Sequence, residues 1–180
     1  MIPPTSVVRR AVRGAIAGAV GTAAMDLVWY ARYRRGGGDR SVLEWEFSKG
    51  LTWDNAPAPA QVGKKAAKAL LGADLPDQAA PRVNNAVHWS TGAMWGAAYG
   101  VVLGRHGRRP PVQTGLVFGP AVCATSYVVL PLMKLYKPIW QYDAKTLFED
   151  FSAHTVFGLT TAAVLAGRRG SAARRRWWCG

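Results

Sequence analysis

Residues 83–104 read VNNAVHWSTGAMWGAAYGVVLG, an uncharged run with glycine at every fourth position from Gly92 to Gly104. Such a run has the ~17–25 residues with which a helix crosses a bilayer. Side chains four apart share one helix face. A stripe of glycine on that face lets a second backbone approach closely, which is how helices associate where lipid removes the hydrophobic drive. Three further runs are nearly free of charge: Gly14–Ala31 (broken only by Asp26), Pro110–Met133 and Phe151–Gly167. Gly14 with Gly18, and Gly115 with Gly119, repeat the four-residue spacing. The pattern predicts an all-α fold, an integral membrane bundle of four transmembrane helices. The spans fall near 12–32, 84–104, 112–133 and 149–167, within a membrane domain 1–168 followed by a basic tail 169–180. Pro120 predicts a kink in the third span and Pro131 its end, because each removes a backbone donor.

The mean hydropathy of the whole chain is close to zero. That average hides a polar connection of about fifty residues (32–82) and the basic tail. The net charge is +13. In a soluble protein this would point to nucleic acid, but the arginines cluster at the ends of the apolar runs, where membrane proteins place them. No nucleic-acid partner is therefore expected; the lipid bilayer is. With four spans, eleven arginines and no acid share one side: Arg9, Arg10, Arg13, Arg105, Arg108, Arg109, Arg168, Arg169, Arg174, Arg175 and Arg176. The other 12 basic residues lie with all 10 acids, nine of them on the long connection. Long loops weigh less in setting orientation, so the arginine-only side is expected in the cytoplasm, with both termini inside.

Aromatic residues agree with this layering. Trp29, Tyr30, Tyr33, Trp89, Tyr136, Trp140 and Tyr142 fall near the opposite boundary, as an interfacial belt does. In the tail, Arg174, Arg175 and Arg176 beside Trp177 and Trp178 form a lipid-binding candidate for anionic headgroups. The N-terminus resembles a signal peptide in its arginines and in Thr22-Ala23-Ala24. The apolar run continues past Asp26 to Trp29 and Tyr30, however, which favours an uncleaved span. Cys123 and Cys179 lie at different depths and are not expected to pair; Cys123 reads as a small apolar filler.

The connection 33–83 carries local signals of its own. Pro57-Ala58-Pro59 followed by Ala60–Leu71 and Gly72 predicts an amphipathic surface helix at about 59–71. Its apolar face is Val62, Ala66, Ala69 and Leu70, its basic face Lys64, Lys65 and Lys68, an arrangement suited to lying flat on a membrane. Ser41 with Glu44 makes a capping box, although Leu43, Trp45 and Phe47 also alternate as in a strand.

Ionisable groups recur near the outer third of the spans: Asp26, His88, Asp150 and His154, with Ser126 and Tyr127 on the third span. Such groups are costly in hydrocarbon and usually face the interior with a partner. Histidine titrates near neutral pH, and a carboxylate beside it moves that titration. Asp26, His88, Asp150 and His154 are therefore the candidate proton or ion site. Two His and two Asp would also satisfy zinc, but the spacing carries no metal signature, so no metal and no cofactor is expected. An interhelical hydrogen-bond network is the plainer use of the same residues. Neither a nucleophile elbow nor a phosphate loop is present, so no catalytic residue and no enzyme activity is expected.

Several motifs together resemble a known family. They are Gly14–Asp26, Ala56-Pro57-Ala58-Pro59-Ala60, His88 opening a glycine-rich span with Tyr99-Gly100, Leu130-Pro131, and Asp150 with His154-Thr155-Val156-Phe157-Gly158. The chain resembles the YagU-like small bacterial inner-membrane proteins, a family whose biochemical role is not established. The resemblance covers most of 14–167, implies four spans in a bacterial inner membrane, and supplies no catalytic residue. The functional expectation is proton or cation sensing or handling through the outer polar cluster. The alternative is a structural or accessory subunit, its glycine faces docked in a homo-oligomer or larger membrane assembly and its arginines on lipid.

Overall fold

The computed structural model describes residues 4–47, 51–103 and 110–177, with side chains described throughout these except at 4–5, 103 and 168–177. The fold is all-α, and no strand occurs among the described residues. The helices are α1 (Pro4–Arg35), α2 (Val42–Glu46), α3 (Ala58–Leu71), α4 (Ala80–Leu103), α5 (Pro111–Leu132) and α6 (Ala144–Trp177). α1 and α6 contain the expected spans 12–32 and 149–167 and overrun them, whereas α4 and α5 cover 84–104 and 112–133 as far as Leu103 and Leu132. α5 continues through Pro120 and stops one residue after Pro131. α6 carries its helical backbone through the basic tail to Trp177.

Among the described residues two helices, not four, are long and apolar enough by themselves to cross a membrane, α1 and α5. The reason lies in composition. α4 holds Asn84, Asn85 and His88 in its first turns and spends much of the rest on glycine, alanine and aromatic residues. α6, which begins at Ala144, carries Glu149, Asp150 and His154 in its first three turns. Small residues serve close packing but add little hydropathy.

That packing dominates the architecture. α1 lies against α4 on one side and α6 on the other, and α6 lies against α5. α4 and α5 are not packed directly along their length; they are joined near the arginine end by Tyr99, whose hydroxyl is 2.7 Å from Thr114 Oγ1 and whose ring is 4.5 Å from that of Phe118. A Cβ built on Gly18 would lie 2.3 Å from Gly92 O, and one on Gly96 would lie 2.3 Å from Gly14 O. On the other side, a Cβ on Gly119 would lie 2.0 Å from His154 O and one on Gly158 2.4 Å from Gly115 O. The glycine stripes are thus consumed inside the chain, backbone against backbone. Apolar side chains fill what remains: Ala17, Tyr99, Ala162 and Leu165 form one buried cluster, and Met25, Val122, Ala153 and Phe157 another.

The connection between α1 and α4 folds around Trp53, which is buried. Its Nε1 donates to Leu75 O at 3.0 Å and Pro76 O at 3.1 Å, and Gln61 Nε2 donates back to Trp53 O. α3 starts after Pro57 and ends at Gly72, whose φ of 64° is the left-handed cap expected of glycine. The face it packs on the rest of the chain is not the apolar face read for the membrane surface. Ala58 and Ala60 are buried, whereas Leu70 and Leu71 are 81% and 78% exposed, and Ala66 and Ala69 are exposed too. Gly63 sits against Val83 and Val87 of α4. Small residues admit the closer approach, so they turn inward instead of the larger apolar ones. The capping box forms: Glu44 N–H donates to Ser41 Oγ, and Ser41 N–H to Glu44 Oε2. It starts a helix, which rules out the strand alternative.

Candidate functional site

The small-residue stripes lead directly to the polar groups. Along α1, positions 14, 18, 22 and 26 share one face, and along α4 positions 100, 96, 92 and 88 share another. The two helices run antiparallel with Gly14 opposite Gly96 and Gly18 opposite Gly92. Continuing that register brings Thr22 onto Gly92 and Asp26 onto His88. His88 Nε2 lies 2.8 Å from Asp26 Oδ1. Asp26 is 8% exposed, and its second oxygen, Oδ2, is buried without a hydrogen-bond partner.

The second stripe works the same way. Gly115 and Gly119 of α5 pack on Gly158 and His154 of α6, and two turns on from Gly119 the Tyr127 hydroxyl donates to Asp150 Oδ2. His154 does not meet the Asp150 carboxylate. Its Nδ1 donates to the Asp150 carbonyl at 2.8 Å, since a carbonyl oxygen only accepts. The Tyr127 ring is enclosed by Tyr136, Tyr142 and Phe151, with centroids 5.8, 5.3 and 6.1 Å away. Burial first, and then the negative field of Asp150, pushes the Tyr136 hydroxyl up to about 12. At the start of α6, Thr146 donates from its backbone at 2.9 Å and its hydroxyl at 2.7 Å to Asp143, holding that carboxyl below its usual range.

Asp26, His88, Asp150 and His154 all line a single cavity of about 710 Å³ between the four long helices. They face it as two pairs, Asp26 with His88 and Asp150 with Tyr127, with His154 held on the backbone of α6. α2 and α3 cover its outer end. Glu46 of α2 accepts from Trp89 Nε1 at 2.8 Å, Asn85 Nδ2 donates to Glu46 O at 3.0 Å, and Lys65 of α3 donates to Met133 O. Arg32 pins the end of α1 to α6, donating to Glu149 O and Ser152 Oγ, both at 2.7 Å.

Two lining residues escaped the sequence reading. Asn84 lies one turn before His88, and its Oδ1 is a second buried oxygen without a partner. Glu46 reaches the cavity only because the connection folds back, which no local signal announces. Tyr127 was visible as the third span's polar contribution, but not as the partner of Asp150. Cys123, read as a filler, is buried as a free thiol on the cavity wall. Among the described residues no three of His, Cys, Asp and Glu group as a metal site would. The side chains of Arg174, Arg175, Arg176 and Trp177, and all of Trp178, lie outside what is described. The chain matches no family model, no curated protein and no solved structure.

Proposed function

We propose that this chain is a four-span protein of a bacterial inner membrane, termini in the cytoplasm, whose internal cavity handles protons or a cation. The observation that carries the proposal is the buried Asp26 paired with the half-buried His88, 2.8 Å apart, on the wall of a cavity of about 710 Å³. Imidazole titrates near neutral pH and a carboxylate in contact with it moves that titration, and the buried Oδ2 of Asp26 is an acceptor that a cation would use.

Exposed apolar lines support the membrane part. Val8, Val12, Ile16, Val20 and Leu27 are each at least 41% exposed along α1, a line about 28 Å long at 1.5 Å per residue. Val112, Leu116, Val117, Val128, Val129 and Leu132 do the same along α5. Both lengths match the ~30 Å hydrocarbon core. α4 is about 36 Å and α6 about 51 Å long, and both are zipped to neighbours that match the bilayer. Asn84, Asn85, His88 and Thr91 of α4 and Asp150 and His154 of α6 line the cavity, so hydropathy understates how well these helices suit lipid. The YagU-like resemblance agrees with this arrangement. An accessory role by glycine docking has less support, since those faces are occupied internally.

The test is proton flux in liposomes reconstituted with the intact protein. Asp26→Asn and His154→Ala are each expected to abolish a pH-driven flux while the protein still inserts and elutes as one species. Flux at the unsubstituted level in both variants removes the proposal.

A further inference from the structure

We infer that the cavity is a binding site for an organic ammonium, a primary or secondary amine with an apolar body, with Asp26 as its counter-ion. This rests on the proposed intramembrane cavity but names the cargo by chemistry. The chain carries 23 Lys and Arg against 10 Asp and Glu, yet the cavity wall holds three of the acids, Asp26, Glu46 and Asp150, and none of the Lys or Arg among the described residues. That inversion of charge is the first observation. Beside the two imidazoles of His88 and His154, the charged side chains that an anion would meet there are carboxylates, whereas a cation meets no Lys or Arg among the described residues.

The second observation selects the kind of cation. Asp26 Oδ2 and Asn84 Oδ1 are the two buried side-chain oxygens without a partner among the described residues, and both residues line this cavity. Unpaired acceptors in a buried site are costly, and both are satisfied by a ligand that donates N–H. An ammonium with two or three protons does so; a quaternary ammonium, which has none, does not. Asp26 Oδ1 is already taken by His88, so Oδ2 is the oxygen left for the amine, which reaches it by a small turn of the enclosed carboxylate.

The third observation concerns the rest of the ligand. Trp45, Trp95 and Tyr136 contribute ring surface to the wall, and aromatic faces attract cations and apolar bodies alike. A volume of about 710 Å³ is within the ~300–1,000 Å³ of small-molecule sites. Met94 of α4 and Val129 of α5 line the cavity and are 61% and 44% exposed. Since α4 and α5 do not pack along their length, the cavity opens sideways between them, toward lipid in the proposed setting. A compound with an apolar body partitions into that layer and enters from it; a bare metal ion does not.

The experiment is calorimetric binding to the full chain in detergent micelles, with 2-phenylethylamine as the probe. Its N,N,N-trimethyl derivative, 3-phenylpropan-1-ol and 3-phenylpropionate are the comparisons. The expected result is saturable binding of the amine, at least tenfold weaker binding of the trimethyl derivative and the alcohol, and none of the carboxylate. Asp26→Asn should weaken the amine at least tenfold, and Asn84→Ala several-fold, leaving the trimethyl derivative's affinity unchanged in the latter. Equal binding of amine and alcohol, binding of the carboxylate, or full affinity in an Asp26→Asn protein of unchanged helicity would overturn the inference. Should Asp26→Asn fail to fold, the ligand series and Asn84→Ala decide alone. Proton flux in liposomes without amine separates the two proposals. Flux with no amine binding leaves the proton reading and removes this one; amine binding without flux does the reverse.

Discussion

Replacing Gly96 by alanine tests the packing that places everything else. A Cβ at position 96 would stand 2.3 Å from Gly14 O and 2.6 Å from Gly18 Cα. Both are backbone atoms of one rigid helix, so no side chain can rotate away. The nearer contact is about 0.7 Å short of the 3.0 Å below which real Cβ atoms essentially never come, and α1 and α4 must part by roughly that much. Overpacking of this kind costs about 1–3 kcal/mol, and the rigid partner puts the cost near the upper end. Alanine's better helix propensity returns about 1 kcal/mol. The net expectation is a loss of about 2 kcal/mol. Gly167 of α6 is the control, because nothing lies within 4 Å of a Cβ there; Gly167→Ala should be neutral or stabilising by up to about 1 kcal/mol. Denaturant-titrated unfolding in micelles, followed by tryptophan fluorescence, measures both. His88 is two turns from Gly96 on the same face, so parting the helices should also loosen the Asp26 contact. Equal stability of the Gly96→Ala and Gly167→Ala proteins would refute the reasoning.

Two further substitutions probe the outer ends of the helices. Arg32→Ala removes charge-assisted bonds to Glu149 O and Ser152 Oγ and should cost about 1–3 kcal/mol in the same unfolding titration; Arg32→Lys should recover part of it, since one ammonium does not reproduce the fork. Asp143→Ala removes the acceptor for both Thr146 donors. The Asp143 carboxyl is held below its usual range, so its contribution is present above its unfolded value near ~3.9 and is lost as pH falls through the lower folded value. The variant should be less stable at neutral pH, and the two unfolding curves should converge as the medium is acidified below that window; a constant gap down to the acid limit would count against this.

The amino-acid order determined more of the site than of its surroundings. Glycine every fourth residue on two helices, followed on the same faces by Thr22 and Asp26 and by His88, specifies an antiparallel contact once a register is chosen, and the ion pair follows from it. The same holds for Gly115 and Gly119 with His154, Asp150 and Tyr127. Local signals also sufficed for the Ser41 capping box and for the stop at Gly72, since each depends on atoms a few residues apart. Which helices pair was not legible, because both stripes carry glycine at the same spacing and nothing local distinguishes one backbone from another. The tertiary structure alone decided that α1 takes α4 and α6, that α4 and α5 stay apart to leave a cavity between them, and that Glu46 and α3 fold back over it. Those outcomes depend on how bulk is distributed over all four faces at once, a property of the packed whole that no single segment contains.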